Sequence, residues 1–140
     1  MVILYDRFNF PDDIYEIIFS TKQQAIVAKA LVREFKEHDK ELTKTEMSLF
    51  ATNLHEGKLI TEIDDPQYKG RKIKLSYNKR QFYDRILTPM KSMGLVYYDL
   101  YKKRYSLSNK FSSDLQKIGV MWNMELNKPI GTPIKKKNEQ

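Results

Sequence analysis

Gly94 marks a change of period in the chain. Before it, Tyr83, Ile86, Leu87 and Met90 recur at the spacing of one helix face. After it come the strand formers Leu95, Val96, Tyr97 and Tyr98, then the polar run "DLYKKR", then Tyr105 and Leu107. Beyond these, Phe111, Leu115, Ile118, Trp122 and Leu126 fall at helical steps again. A helix, a hairpin over about 95–108 and an amphipathic helix over about 110–126 thus follow one another almost without linkers. The pattern predicts an α+β fold.

The upstream half is helical with one interruption. "NFPDDIYEIIF" predicts a short opening helix with Pro11 in its first turn and Asp12 and Asp13 at the positive end of its dipole. A second helix runs from about Thr21 to His38, with Ser20 as its cap and Ile26, Val27, Ala30, Leu31 and Phe35 as its apolar stripe. In "LTKTEMSLFATNLHEG", Thr43 and Glu46 have capping-box spacing, Met47, Phe50, Ala51 and Leu54 face inward, and Gly57 suits the helix end. The period then drops to two. Leu59, Thr61 and Ile63 alternate, as do Ile73 and Leu75, around the turn-rich "DDPQYKG", which predicts an extra hairpin whose second arm is basic. Ser76 or Asn78 can cap the helix that follows. Pro89 lacks the backbone donor that a helix interior needs, at a cost of about 3 kcal/mol, so that helix either kinks there or stops near Leu87 and restarts at Thr88. Residues 1–127 read as one domain. "KPIGTPIKKKNEQ", residues 128–140, reads as a flexible basic tail.

Charge is split along the chain. Residues 1–64 carry 8 Lys/Arg and 12 Asp/Glu, whereas residues 65–140 carry 17 and 6. An acidic half followed by a strongly basic half points to a face made for a polyanion, against the plainer reading of a solvated basic surface. No apolar run approaches the ~18 residues of a membrane span, and the first residues lack the pattern of a signal peptide. With no cysteine, disulfides and thiolate metal sites are excluded, and His38 and His55 have no neighbouring ligand pattern, so neither metal nor cofactor is expected. The five glycines form no phosphate loop, and neither histidine sits in a triad motif, so an enzyme is not expected.

"SMGLVYYDLYKKRYSLSNKF" resembles the winged helix-turn-helix family, in particular MarR-like regulators. There a recognition helix ends in "GLV", a β-hairpin wing follows, and "YSLS" leads into a further helix. Gly94, Leu95 and Val96 match the first motif, and Tyr105, Ser106, Leu107 and Ser108 the second. "LTKTEM" resembles the start of the preceding helix of the motif, and the likeness covers roughly residues 22–126. The chain departs from the family in one respect: about twenty residues, 57–76, separate two helices normally joined by a few.

The resemblance implies a winged helix-turn-helix with an extra hairpin inserted before the recognition helix. It also implies a sequence-specific double-stranded DNA-binding protein, a transcriptional regulator acting as a homodimer, cytoplasmic and nucleoid-associated. At 100° per residue, Gln81, Asp84, Arg85 and Thr88 point outward with Arg80 at the margin, and these five are the candidates for base readout. Asp84 would either contact cytosine or orient Arg80 or Arg85. Asn78, Lys79, Arg71, Lys72 and Lys74 are candidates for the DNA backbone, and Lys102, Lys103 and Arg104 for wing contacts. Phe111, Leu115, Ile118 and Trp122 are candidates for a dimer interface, Trp122 being either its anchor or part of the intramolecular core. The clustered Tyr97, Tyr98, Tyr101 and Tyr105 read as hairpin packing in preference to base-stacking platforms. The rival function is a winged-helix assembly module of a polymerase or virion complex, without specific DNA readout.

Overall fold

The computed structural model describes residues 3–62 and 72–131, and of Thr61 and Glu62 the backbone only. The order of elements is α1 (Ile14–Ile18), α2 (Lys22–Glu37), β1 (Glu41–Thr43), α3 (Lys44–His55), β2 (Leu59–Glu62), β3 (Lys72–Leu75), α4 (Lys79–Phe82), a π-helical turn (Tyr83–Leu87), α5 (Thr88–Ser92), β4 (Val96–Asp99), β5 (Arg104–Leu107) and α6 (Lys110–Leu126). The fold is α+β, with one small antiparallel sheet in the order β1-β5-β4 and a separate β2–β3 hairpin.

Local chemistry sets most boundaries. The Asp13 carboxylate accepts the Tyr15 N–H at 2.7 Å, so α1 starts after Asp13 and leaves Pro11 ahead of the helix, contrary to the expectation that Pro11 opens it. Thr21, not Ser20, caps α2, because its hydroxyl accepts the Gln24 N–H at 3.1 Å. The capping box of α3 is complete: Thr43 Oγ1 accepts from Glu46 N–H (3.0 Å) and Glu46 Oε1 from Thr43 N–H (2.8 Å). Gly57 ends the next turn at φ 70°, and Gly94 closes α5 at φ 82°. An added Cβ at Gly94 would lie 3.0 Å from the Phe111 nitrogen, so this position requires glycine for both conformation and space.

Pro89 does not end the helix. The backbone stays right-handed helical at Tyr83, Leu87 and Thr88, so residues 79–92 run on as one rod. The turn before the proline widens instead, and the Thr88 N–H reaches the carbonyl five residues back, on Tyr83. Proline's missing donor and bulky ring disfavour a regular i→i−4 turn at this point, and a π turn is a known way to absorb such a fault.

One core unites the helices and the sheet. Val27, Leu31 and Phe35 of α2, Met47, Phe50 and Leu54 of α3, Phe82, Ile86, Leu87 and Met90 of the rod, and Leu42, Val96 and Tyr105 of the sheet are all buried. Strand β1 is an element that the sequence pattern did not predict. Leu42 pairs with Tyr105, and Thr43 with Arg104, so this short strand adds a third member to the β4–β5 hairpin. Helix α6 belongs to the core only at its start: Phe111 is 8% exposed and Leu115 half-buried, but Trp122 is 61% exposed.

Candidate nucleic-acid interface

The long insertion does not separate the helices that flank it. Leu59 pairs with Leu75, and Glu62 with Lys72, so the chain leaves along β2 and returns along β3 to its starting point. The Tyr77 N–H then donates to the Leu54 carbonyl at 3.1 Å, and the Phe50 and Phe82 rings meet at 5.5 Å between centroids. Helix α3 and the rod therefore stay in contact despite the insertion. The tip of the insertion, with Arg71, lies outside the described residues; Lys72 and Lys74 are exposed on β3.

Asn78 caps the rod by accepting the Gln81 N–H at 3.0 Å. Inward-facing Phe82, Ile86, Leu87 and Met90 are buried and Tyr83 is half-buried, while Arg80, Gln81, Asp84, Arg85 and Thr88 are all exposed. The rod thus presents a continuous polar face because its other face is fully committed to the core. Asp84 lies nearer Arg80 than a free carboxylate would, with Oδ2 3.9 Å from Nε; both side chains are largely exposed, so the pair adds little stability.

Lys79 occupies a different place from its neighbours. Its amine donates to Thr52 Oγ1 at 2.9 Å and its backbone N–H to His55 Nδ1 at 3.0 Å. Both contacts tie the start of the rod to the end of α3, so Lys79 is a structural clamp in this conformation and less free for a phosphate than the sequence suggested. Nothing local in the sequence signals this, since Thr52 is 27 residues away.

The β4–β5 hairpin carries Lys102, Lys103 and Arg104, all exposed. Lys103 takes φ 53°, and its carbonyl accepts the Lys44 N–H at 3.1 Å, which fastens the hairpin to the start of α3. Arg104 Nη1 lies 3.5 Å from Glu41 Oε1 across the β1–β5 pair, so this cation is partly engaged. The tyrosine cluster divides. Tyr98 and Tyr105 pack ring to ring at 4.5 Å, while Tyr97 and Tyr101 are exposed. Burial raises the pKa of Tyr83 and Tyr105, the Ser48 hydrogen bond opposing this at Tyr83 and the neighbouring tyrosines reinforcing it at Tyr105. Both phenols therefore stay neutral at physiological pH.

Titratable groups also meet where α2 reaches α3. His38 Nδ1 is 3.0 Å from the Glu34 carbonyl, and its Nε2 is 3.7 Å from Glu46 Oε2. The Glu34 carbonyl bond, then the carboxylates of Glu34, Glu46 and Glu37, raise the His38 pKa. Burial raises that of Glu34, whereas the Thr43 hydrogen bonds lower that of Glu46. Among the described residues, no cluster of three or more His, Cys, Asp or Glu is placed to hold a metal ion, and no helix is long and apolar enough to cross a membrane. A recess of about 190 Å³ between α1, α2 and β5 is lined chiefly by apolar side chains, among them Ile14, Ile18, Val32 and Met90.

The expected dimer residues part company too. Phe111 is enclosed in the core and cannot serve an interface without unfolding, so that expectation is corrected. Leu115 leans on the core as well. Ile118, Trp122 and Leu126 of the stripe are exposed, as are Val120, Met121 and Met124, which the stripe did not single out. Comparison of the chain with protein-family models, with curated proteins and with solved structures finds no match.

Proposed function

We propose that the chain is a sequence-specific double-stranded DNA-binding protein of winged helix-turn-helix type, a transcriptional regulator that acts as a homodimer. The observation that carries this reading is the rod over residues 79–92, which has one face locked in the core and the other free. Its exposed face offers Gln81 and Arg85, whose side chains match the edges of adenine and guanine. Asn78 and the N-terminal turn meet the groove first, and Lys72 and Lys74 on β3 and Lys102 and Lys103 on the hairpin supply backbone charge. The hairpin is the wing, and β2–β3 is an insertion between the two helices of the motif. Asp84 stands beside Arg80 on the same face.

The dimer reading rests on α6. From Ile118 onward, apolar side chains surround the helix on more than one side, a pattern that belongs to a covered helix. A second copy covering it would set two reading helices about 34 Å apart on a palindromic site. The same exposed surface supports the alternative, an assembly module whose α6 docks on a different protein.

Titration of labelled duplex at two salt concentrations separates the readings. Regulator-type binding weakens steeply with salt, the logarithmic slope scaling at about 0.9 per phosphate contacted. Arg85→Ala should relax preference at one base pair by roughly 1–3 kcal/mol, and Lys103→Ala should weaken all sequences alike. Absence of duplex binding at low salt leaves the assembly module as the better reading.

A further inference from the structure

The tip of the β4–β5 hairpin holds two apolar side chains where a turn ordinarily holds polar ones. Tyr101 is 98% exposed and Leu100 75% exposed, and Tyr101 stands in none of the ring pairs that engage its neighbours. Loose tips often carry such residues without consequence. This tip is held in shape: Asp99 Oδ1 accepts both the Tyr101 N–H at 2.9 Å and the Lys102 N–H at 3.1 Å. Strand pairing reaches Asp99 and Arg104, which leaves only four residues to turn, and Lys103 completes the turn at positive φ while its carbonyl binds the Lys44 N–H. The Tyr98–Tyr105 pair at 4.5 Å stiffens the strands immediately below.

We infer that Leu100 and Tyr101 form a wedge that enters a base step of duplex DNA, with Tyr101 stacking on a nucleobase. Charge complementarity argues for this occupant. Lys102 and Lys103 follow the apolar pair directly, so a tip seated between bases has cations at the flanking phosphates. The one carboxylate at the tip, Asp99, is turned inward onto backbone N–H groups. A tyrosine has few rotamers to lose and a flat face that stacks on any base, which suits a contact that distorts DNA and leaves sequence reading to the helix. The inference rests on the proposed DNA-binding reading, and it reverses for Tyr101 the sequence-based assignment of the tyrosine cluster to packing.

Tyr101→Trp places a reporter indole at the tip, its emission read as the difference from the parent chain, which carries Trp122 alone. Saturating random-sequence duplex at low salt should quench its emission by more than half, because a stacked indole loses its excited state to the base. Tyr101→Ala should bind duplex about tenfold more weakly with the salt slope unchanged, since stacking releases no counterions. Lys103→Ala in parallel should reduce that slope by about one. Duplex binding with unaltered indole emission, or equal affinity of Tyr101→Ala, overturns the wedge and leaves the proposed function intact. Stronger quenching by single-stranded DNA than by duplex overturns it in favour of an unpaired base. A blue shift on phosphatidylserine vesicles, with no response to duplex, overturns it in favour of a lipid surface. Failure of the unaltered protein to bind duplex at low salt removes the proposed function and the wedge together.

Discussion

Residues 79–92 and residues 110–126 both repeat large apolar side chains at three and four, yet one stripe is closed inside the molecule and the other is mostly bare. In the first, Phe82, Ile86, Leu87 and Met90 have almost no exposed surface; in the second, burial ends at Phe111 and Leu115. Periodicity identifies the face that must be covered and is silent on what covers it. The first helix finds its cover in α2 and α3 of the same chain. Beyond Leu115, the second has no such cover among the described residues.

The contrast breaks most sharply at Phe82. Phe82→Ala removes a ring packed against Phe50 and Tyr83, and should cost about 3–5 kcal/mol in denaturant unfolding. Trp122→Ser should leave the unfolding free energy of dilute protein within about 0.5 kcal/mol of the parent. Instead it should weaken self-association by roughly thirtyfold, as loss of an interface hot spot does, measured by sedimentation equilibrium. A parent chain that sediments as a monomer at every concentration would remove the homodimer. Gly119→Ala sharpens the comparison at smaller scale. An added Cβ there meets nothing within 4 Å, so the change should stabilise α6 by about 0.5–1 kcal/mol and raise amide protection in residues 118–126.

The smallest effect is a pH dependence that should touch one region only. The folded-state pKa of His38 is raised, so its stabilising contribution is complete below the ordinary histidine range and fades as pH rises through the raised folded-state value. The melting temperature should fall slightly over that interval, and His38→Gln should flatten the trend. Glu46 works in the opposite direction, its contribution fading only as pH drops through its lowered value in the acid range. Neither group touches α6, so self-association at pH 6 and pH 8 should match.

Features encoded within a few residues are legible in the sequence. The Thr43–Glu46 capping box, the glycine stops, the β4–β5 hairpin and the extent of α6 all follow from neighbours three or four positions apart. Misses came where a distant partner decides. Strand β1 has three residues and a mate about sixty positions away, so its pattern was absorbed into the cap of α3. Thr52 and His55 claim Lys79 across the inserted hairpin. Four tyrosines of one hairpin looked equivalent until Tyr98 and Tyr105 paired and left Tyr101 outside. Pro89 allows two readings in the sequence, kink or restart; the helix does not stop before it, and the turn ahead of it widens.

Thr43 closes β1 by pairing with Arg104, caps α3 through its hydroxyl, and is followed by a residue whose N–H is held by the Lys103 carbonyl. Three anchors within two residues make a rigid hinge-pin between the hairpin and α3. The same two residues thus belong at once to the sheet and to α3, and the Lys79 contacts to Thr52 and His55 continue that chain of bonds from the foot of the hairpin to the first turn of residues 79–92.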